Sequence, residues 1–370
     1  MTIHPPGHIR TTLARLAGAA AVFVLALASP SVASSATSAT DAYPPPATDN
    51  PLAAHPWGVY HGNADMAWQP YLRSSAAQQA LLDKIVQQPK SQWFGKWIAN
   101  TAIADRIHLY IQNATGGDPN VLVQMAIFRM DPWEQNACAA LPTLAQKQSY
   151  RQWVRNAAAA IGSSYVSLVL QPDGPFALCA PGGSKVYSHL LRYAAERFSA
   201  NPNTSVYIDA GAADWNKNDP ERALKILLPA GIEYVRGFAL GSTHYDATSD
   251  EIAYGTSVVD ALAARGIVGK HFVVNTAANG RPFKGYTYKG PDFDNARVCQ
   301  PTTTTDCTTL GIPPTADVAN PAWALPPDLN ADAAAYCDGY VWVGRPWLYR
   351  QASPFVMKRA LALARSTPYQ

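Results

Sequence analysis

The sequence predicts an α/β fold built on a parallel sheet, with a closed barrel preferred to an open sheet. Three observations carry this. From about residue 90 onward, short apolar runs alternate with amphipathic helical stretches, the pattern of strands buried on both faces and joined by crossover helices. Several runs end on polar or aromatic residues, as expected where loops gather at the C-terminal ends of barrel strands. No glycine-rich phosphate fingerprint follows any strand, which weakens a dinucleotide-binding sheet.

The elements follow in order. Arg10 and Arg15 precede an apolar run from Leu16 to Ala28, and Ser31-Val-Ala33 offers a small-residue cleavage site. Residues 1–33 therefore read as a signal peptide, the run being short for a membrane anchor. Residues 34–50, rich in Ser, Ala, Thr and Pro, read as a flexible leader, and 51–370 as a single domain. The strand candidates are Val123–Phe128, Tyr165–Leu170, Ser205–Asp209, Val235–Leu240, His271–Asn275 and Gly339–Val343. Helices are expected at Gln148–Ile161, Lys185–Phe198, Pro220–Leu228, Glu251–Arg265 and near Pro354–Ala364. The stretch from Gly280 to Ala335 has little periodicity, and loops of that size are usually functional. It is expected to wall the barrel mouth.

Composition narrows the partners. The formal charge of +3 falls to about +1 without Arg10 and Arg15, and no basic cluster marks a nucleic-acid surface. Ten Trp and 18 Tyr suit contact with a neutral substrate through flat aromatic faces, and equally an ordinary large core. Five cysteines in an exported chain imply two disulfides and one spare thiol. Cys138 and Cys179 each follow a strand tip and are placed to staple neighbouring loops. Cys299, Cys307 and Cys337 compete for the second bridge, with Cys299 and Cys337 taken as the expected pair. The spacing shows no zinc pattern, and no metal, nucleotide or other cofactor is expected. Monomer is the default state.

The chemistry concentrates after Ser164-Ser-Tyr-Val-Ser-Leu-Val-Leu-Gln-Pro-Asp173, a β-branched run ending on a carboxylate. A carboxyl at such a tip, partly withdrawn from water, can have its pKa raised enough to act as a general acid. Other tips carry Asp209-Ala-Gly211 with Trp215, His244-Tyr245-Asp246, Asn275 and Trp342.

In this order the tips resemble glycoside hydrolase family 6, the inverting β-1,4-glucanases and cellobiohydrolases. The resemblance covers roughly residues 50 to 365. It rests on Gln171-Pro-Asp173 for the family's Glu-Pro-Asp, Asn136-Ala-Cys-Ala-Ala140 for its Arg-Asp-Cys segment, and Tyr207-Ile-Asp-Ala-Gly211 with Trp215. Arg236-Gly-Phe-Ala-Leu240, Asn279-Gly280, Leu310-Gly-Ile-Pro-Pro314 and Gly339-Tyr-Val-Trp-Val343 extend it. It implies a distorted seven-stranded (β/α) barrel, TIM-like, with a sugar groove or tunnel on its C-terminal face. It also implies Asp173 as general acid, a kept Cys138–Cys179 bridge, and Trp215 as a platform under a glucosyl ring. Asp209, Tyr245, Asn275, Trp342 and Trp347 join it as expected substrate contacts.

The departures concern catalysis. The helper Asp before the family's cysteine is Ala137, the Glu before Pro-Asp is Gln171, and the His after Asp-Ala-Gly is Ala212. The family's Lys-Pro-x-Gly-Glu-x-Asp-Gly, which holds its candidate base, is replaced by Gly344-Arg-Pro-Trp-Leu-Tyr-Arg350, with no carboxylate. Three extra residues lie between Phe128 and Cys138, and there Asp131 and Glu134 are the candidate substitutes. Asp214, Asp246 and Asp338 are poorer ones. Arg345 and Arg350 are candidates for meeting an anionic group on an altered substrate. The expected activity is hydrolysis of β-1,4-glucan with inversion by a secreted enzyme. The alternative is a carbohydrate-binding pseudoenzyme on the same barrel.

Overall fold

The computed structural model describes residues 49–281, 290, 292–300 and 307–369. The expected signal peptide and almost all of the leader lie outside the described residues. No described helix is long and apolar enough to cross a membrane.

Seven strands are arranged β1 (Gln92–Gly95), β2 (Val123–Phe128), β3 (Val166–Leu170), β4 (Thr204–Asp209), β5 (Gly237–Leu240), β6 (His271–Asn275) and β7 (Cys337–Val341). They pair in sequence order, all parallel. The sheet curls into a distorted barrel. Closure is partial: among the described residues β1 and β7 share no ladder. Their seam is bridged where Ser91 N donates to Trp342 O (2.9 Å) and Trp93 Nε1 donates to Val343 O (2.8 Å). β1 escaped the sequence reading because only four residues pair, too few to show a period.

Alternation along the strands makes two cores. Ala126, Val169, Tyr207, Ala239, Val273 and Val341 fill the inside, together with Trp93 and Leu52. Met125, Leu168, Ile208, Phe238, Phe272 and their neighbours face outward against the helices. Because strands are apolar on both faces, they read as continuous apolar runs.

The helices largely fall where expected, and the shifts have local causes. The helix Leu144–Ile161 starts four residues before the expected Gln148. Thr143 accepts from Gln146 N while the Gln146 side chain reaches back to Thr143 N (2.8 Å), a capping box that defines the start. The helix Pro220–Ala230 is capped by Asp219, begins on Pro220 and ends at Gly231 with φ 85°, as helix-terminal chemistry requires. The expected helix Glu251–Arg265 runs Thr248–Ala263, and the final one Met357–Ser366. Within the long Gly280–Ala335 stretch, Pro327–Tyr336 is helical, so that part is scaffold. Phe293 and Asp294 from the same stretch do line the barrel mouth.

One disulfide joins Cys138 and Cys179, and the other joins Cys299 and Cys307. The expected Cys299–Cys337 pairing is corrected. Cys337 opens β7, paired with Phe272, and is buried and free.

Candidate active site

A cleft of about 380 Å³ opens over the C-terminal tips of the strands. Its walls include Trp93, Trp97, Phe128, Glu134, Asp173, Phe176, Trp215, Thr243, His244, Phe293, Asp294, Arg345, Arg350 and Gln351. Eight described non-glycine residues have positive φ, and Glu134, Asp173, Arg350 and Gln351 among them line this cleft. Such conformations each cost on the order of 1–3 kcal/mol and gather where function over-determines the backbone.

Asp173 sits just beyond β3, partly buried, with φ 69°. Thr243 Oγ1 donates to its Oδ1 at 2.8 Å. Burial, then the neighbouring Asp209 carboxylate, pushes its pKa up to about 7, against the smaller opposing effects of Thr243 and His244. Its loop is anchored from both sides. Gln171 Oε1 accepts from Arg129 N (3.1 Å) and Met130 N (3.0 Å), tying the β3 tip to the β2 tip. Trp133 Nε1 donates to Pro172 O at 3.0 Å, and the Cys138–Cys179 bridge closes the outer side.

Asp209, at the end of β4, is buried to 1% exposure. Its Oδ1 accepts from Gly174 N (2.8 Å) and Gly211 N (3.0 Å), and Ser242 Oγ donates to Oδ2 at 2.5 Å. Burial raises its pKa to about 6 despite these donors. Asp209 was expected to touch substrate. In the structure its oxygens are taken by the loops after β3, β4 and β5, so it positions Asp173's loop and acts on Asp173 through its charge. A Cβ on Gly174 would fall 2.0 Å from Asp209 O, which explains a glycine directly after Asp173.

Trp215 lines the cleft, with Phe176 edge-on at 5.3 Å and His244 stacked behind it at 4.9 Å. His244 Nδ1 lies 2.8 Å from Asp214 Oδ1. Burial disfavours the imidazolium, but Asp214 and Asp246 raise the His244 pKa on balance. Asp246 Oδ2 accepts from Asp214 N at 2.7 Å. Asp214 and Asp246 are therefore engaged in holding the His244–Trp215 wall.

The two substitute carboxylates diverge. Glu134 stands at the cleft rim, with φ 55°. Partial burial, then Asp294, holds its pKa above the usual carboxylate range. Asp131 is drawn to the outside instead. Its Oδ1 pairs with Lys96 Nζ at 3.0 Å, and Gln146 Nε2 donates to Oδ2 at 3.3 Å. It is not part of the cleft wall.

Four of the expected sugar contacts are buried. Trp342 and Trp347 are 1% and 2% exposed and pack together at 5.9 Å in a cluster against the helices Ala76–Val86 and Met357–Ser366. With Val341 and Val343 facing inside, strand alternation sends Trp342 outward, where its Nε1 donates to Ile312 O at 2.9 Å. Tyr245 is fully buried, its hydroxyl on Phe293 O at 2.9 Å. Asn275, 3% exposed, stitches three strand tips together. Its Nδ2 donates to Gly241 O (2.8 Å), and its Oδ1 accepts from Val343 N and Gly344 N (both 3.0 Å). Asp338 lies in β7 itself, hydrogen-bonded to Arg236 and Tyr207 and with His271 Nδ1 3.2 Å from its Oδ1.

Trp93, Trp97, Thr243 and Asp294 were missed. The Trp93-Phe-Gly95 run inside Ser91–Trp97, aromatic residues leading to a glycine, was the available signal for the first two. Nothing local marks Thr243 or Asp294.

Residues 55–325 match the glycosyl hydrolases family 6. The chain belongs to that family. It is 30% identical over 231 residues to endoglucanase A of Cellulomonas fimi, covering 62% of this chain and 48% of that protein. It is 30% identical over 210 residues to endoglucanase 1 of Streptomyces halstedii, covering 56% and 63%. The chain thus spans about half to just under two thirds of the length of these curated relatives. A solved endoglucanase from Mycobacterium tuberculosis, in complex with a thio-linked cellobioside, superposes with a TM-score of 0.66 at 24% identity, covering 86% of this chain and 99% of that one. The catalytic core of a Chaetomium thermophilum cellobiohydrolase gives 0.63 at 17%, covering 87% and 99%. At these identities the two structures speak to the fold.

Proposed function

We propose that this chain is a secreted glycoside hydrolase that cleaves β-1,4-glucan with inversion, using Asp173 as general acid. The supporting observation is Asp173 itself, a carboxyl in the cleft that burial and Asp209 keep half protonated near neutral pH. Such a group can donate a proton to a leaving glycosidic oxygen. Inversion further requires a base that activates water, with the carboxyls roughly 6.5–9.5 Å apart. Glu134 is the candidate, because it shares the cleft with Asp173 and acts on its charge. Trp215 would stack under a glucosyl ring. The two disulfides suit an exported protein. The names of the curated endoglucanases support the polymer class.

One observation favours a second reading, glycan binding without turnover. The segment after β7 brings Arg345 and Arg350 to the cleft and no carboxylate. Product release from soluble β-1,4-glucan, wild type beside Asp173→Asn, decides between them. Turnover lost in the variant supports the hydrolase, and the product anomer read by NMR tests inversion. Cello-oligosaccharide binding without turnover in either protein supports the binder.

A further inference from the structure

We propose that Arg345 is a carboxylate-binding residue, and that the glucan taken by this cleft carries acidic sugar units. The proposal rests on the glycan reading above and specifies its substrate class. Arg345 lies between the cleft and a smaller adjoining cavity of about 40 Å³, lining both. Its guanidinium carbon stands 4.2 Å from the centroid of Trp93. The indole is fixed by its own bond to Val343 O, and Gln351 Oε1 accepts from Arg345 N at 3.2 Å. Stacking occupies one face of the guanidinium and leaves its in-plane donors available.

Among the described residues those donors are unused. Arg345 makes no side-chain hydrogen bond or ion pair with any described residue, and its Nε is buried without a partner. The acid that lines the smaller cavity with it, Asp65, is already taken by Lys90 at 3.2 Å. The other cleft cation, Arg350, is taken by Asp292 at 2.8 Å. A withdrawn charge without a hydrogen-bonded partner is costly to keep, and burial lowers the Arg345 pKa to about 10 against the opposing pull of the Asp65 charge. A planar carboxylate matches the edge of a held guanidinium with two parallel hydrogen bonds. A neutral glucosyl ring offers only hydroxyls. The adjoining aromatic wall of Trp93 and Trp97 suits a pyranose ring, which makes a uronic acid the fitting bearer of that carboxylate.

The test is calorimetric binding of cellotetraose and of the same oligosaccharide with one ring oxidised to the C6 carboxylate. It is run on Asp173→Asn protein, which prevents turnover, with and without Arg345→Gln. The expected result is roughly ten- to hundredfold tighter binding of the acidic ligand. That preference should vanish in Arg345→Gln, persist in part in Arg345→Lys, and shrink as salt rises. Should Arg345→Gln fail to fold, Arg345→Lys and the salt dependence carry the decision. Equal affinity for the two ligands, or a preference that survives Arg345→Gln, overturns the proposal while leaving the glycan reading intact. Failure to bind either oligosaccharide overturns both.

Discussion

Asp173 and Asp338 are the same residue type in the same barrel, and their environments drive them in opposite directions. Both lose water. At Asp338, burial is outweighed by Arg236, whose Nε and Nη2 donate at 2.8 and 2.9 Å, and by His271; its carboxyl is held below the usual carboxylate range. Tyr207 adds a donor at 2.7 Å. At Asp173 the neighbours are another carboxylate and one threonine hydroxyl, and the pKa rises to about 7. Burial removes solvation from both. The charge of the partner decides which form survives. Asp338, inside β7, is held charged by the fold, while Asp173, beyond the tip of β3, has its pKa raised at the cleft.

The largest expected break in this comparison is Asp173→Asn. On the hydrolase reading it should lower kcat by on the order of 10²–10⁴-fold, measured as reducing-end release. The fold should not suffer. A carboxyl whose pKa is raised on folding makes stability fall between its unfolded value and about 7, so above that pH the variant should melt no lower than wild type.

Asp338→Asn should do the reverse, costing about 3–5 kcal/mol by leaving the part-buried Arg236 with only the exposed Asp49 as its anion, read as a lowered denaturation midpoint. Because the folded pKa of Asp338 is depressed, its contribution is complete above the ordinary carboxylate range and is lost as pH falls through the folded value. The gap between wild type and variant should therefore narrow in acid. A gap independent of pH would remove the ion pair from the explanation.

Removing the Cys138–Cys179 bridge with paired alanines opens a link spanning 41 residues. The expected loss is about 2–4 kcal/mol, with activity falling further than the melting curve alone explains, since the bridge flanks the Asp173 loop. The smallest effect is Asp209→Asn. Its anion raises the Asp173 pKa, so the alkaline limb of kcat/KM, where the acid loses its proton, should move from near pH 7 to lower pH. An unmoved limb would break the link between the two carboxylates.

The sequence anticipated much of this site, and the misses are instructive. Asp173 was readable because a strand, a proline and a carboxylate are contiguous. The Cys138–Cys179 bridge was readable because each cysteine follows a strand tip. The burial of Trp342, Trp347 and Tyr245 was not readable, because an aromatic near a tip looks alike whether it faces a cleft or the core. Asp131 and Glu134 sit three residues apart, yet one is held by Lys96 and the other lines the cleft.

The sequence by itself determined the parallel α/β order, six of the seven strands, the principal helices and the place of Asp173 at a strand tip, because each is written in contiguous residues and local periodicity. Only the tertiary structure decided which cysteine stays free, which aromatics are buried, and how Asp209 and Asp338 are used. It alone showed that Arg345 lines the cleft with no hydrogen-bond partner for its side chain among the described residues. Those properties depend on which groups from distant strands arrive side by side, and the energy of a charge is set by its neighbours in space.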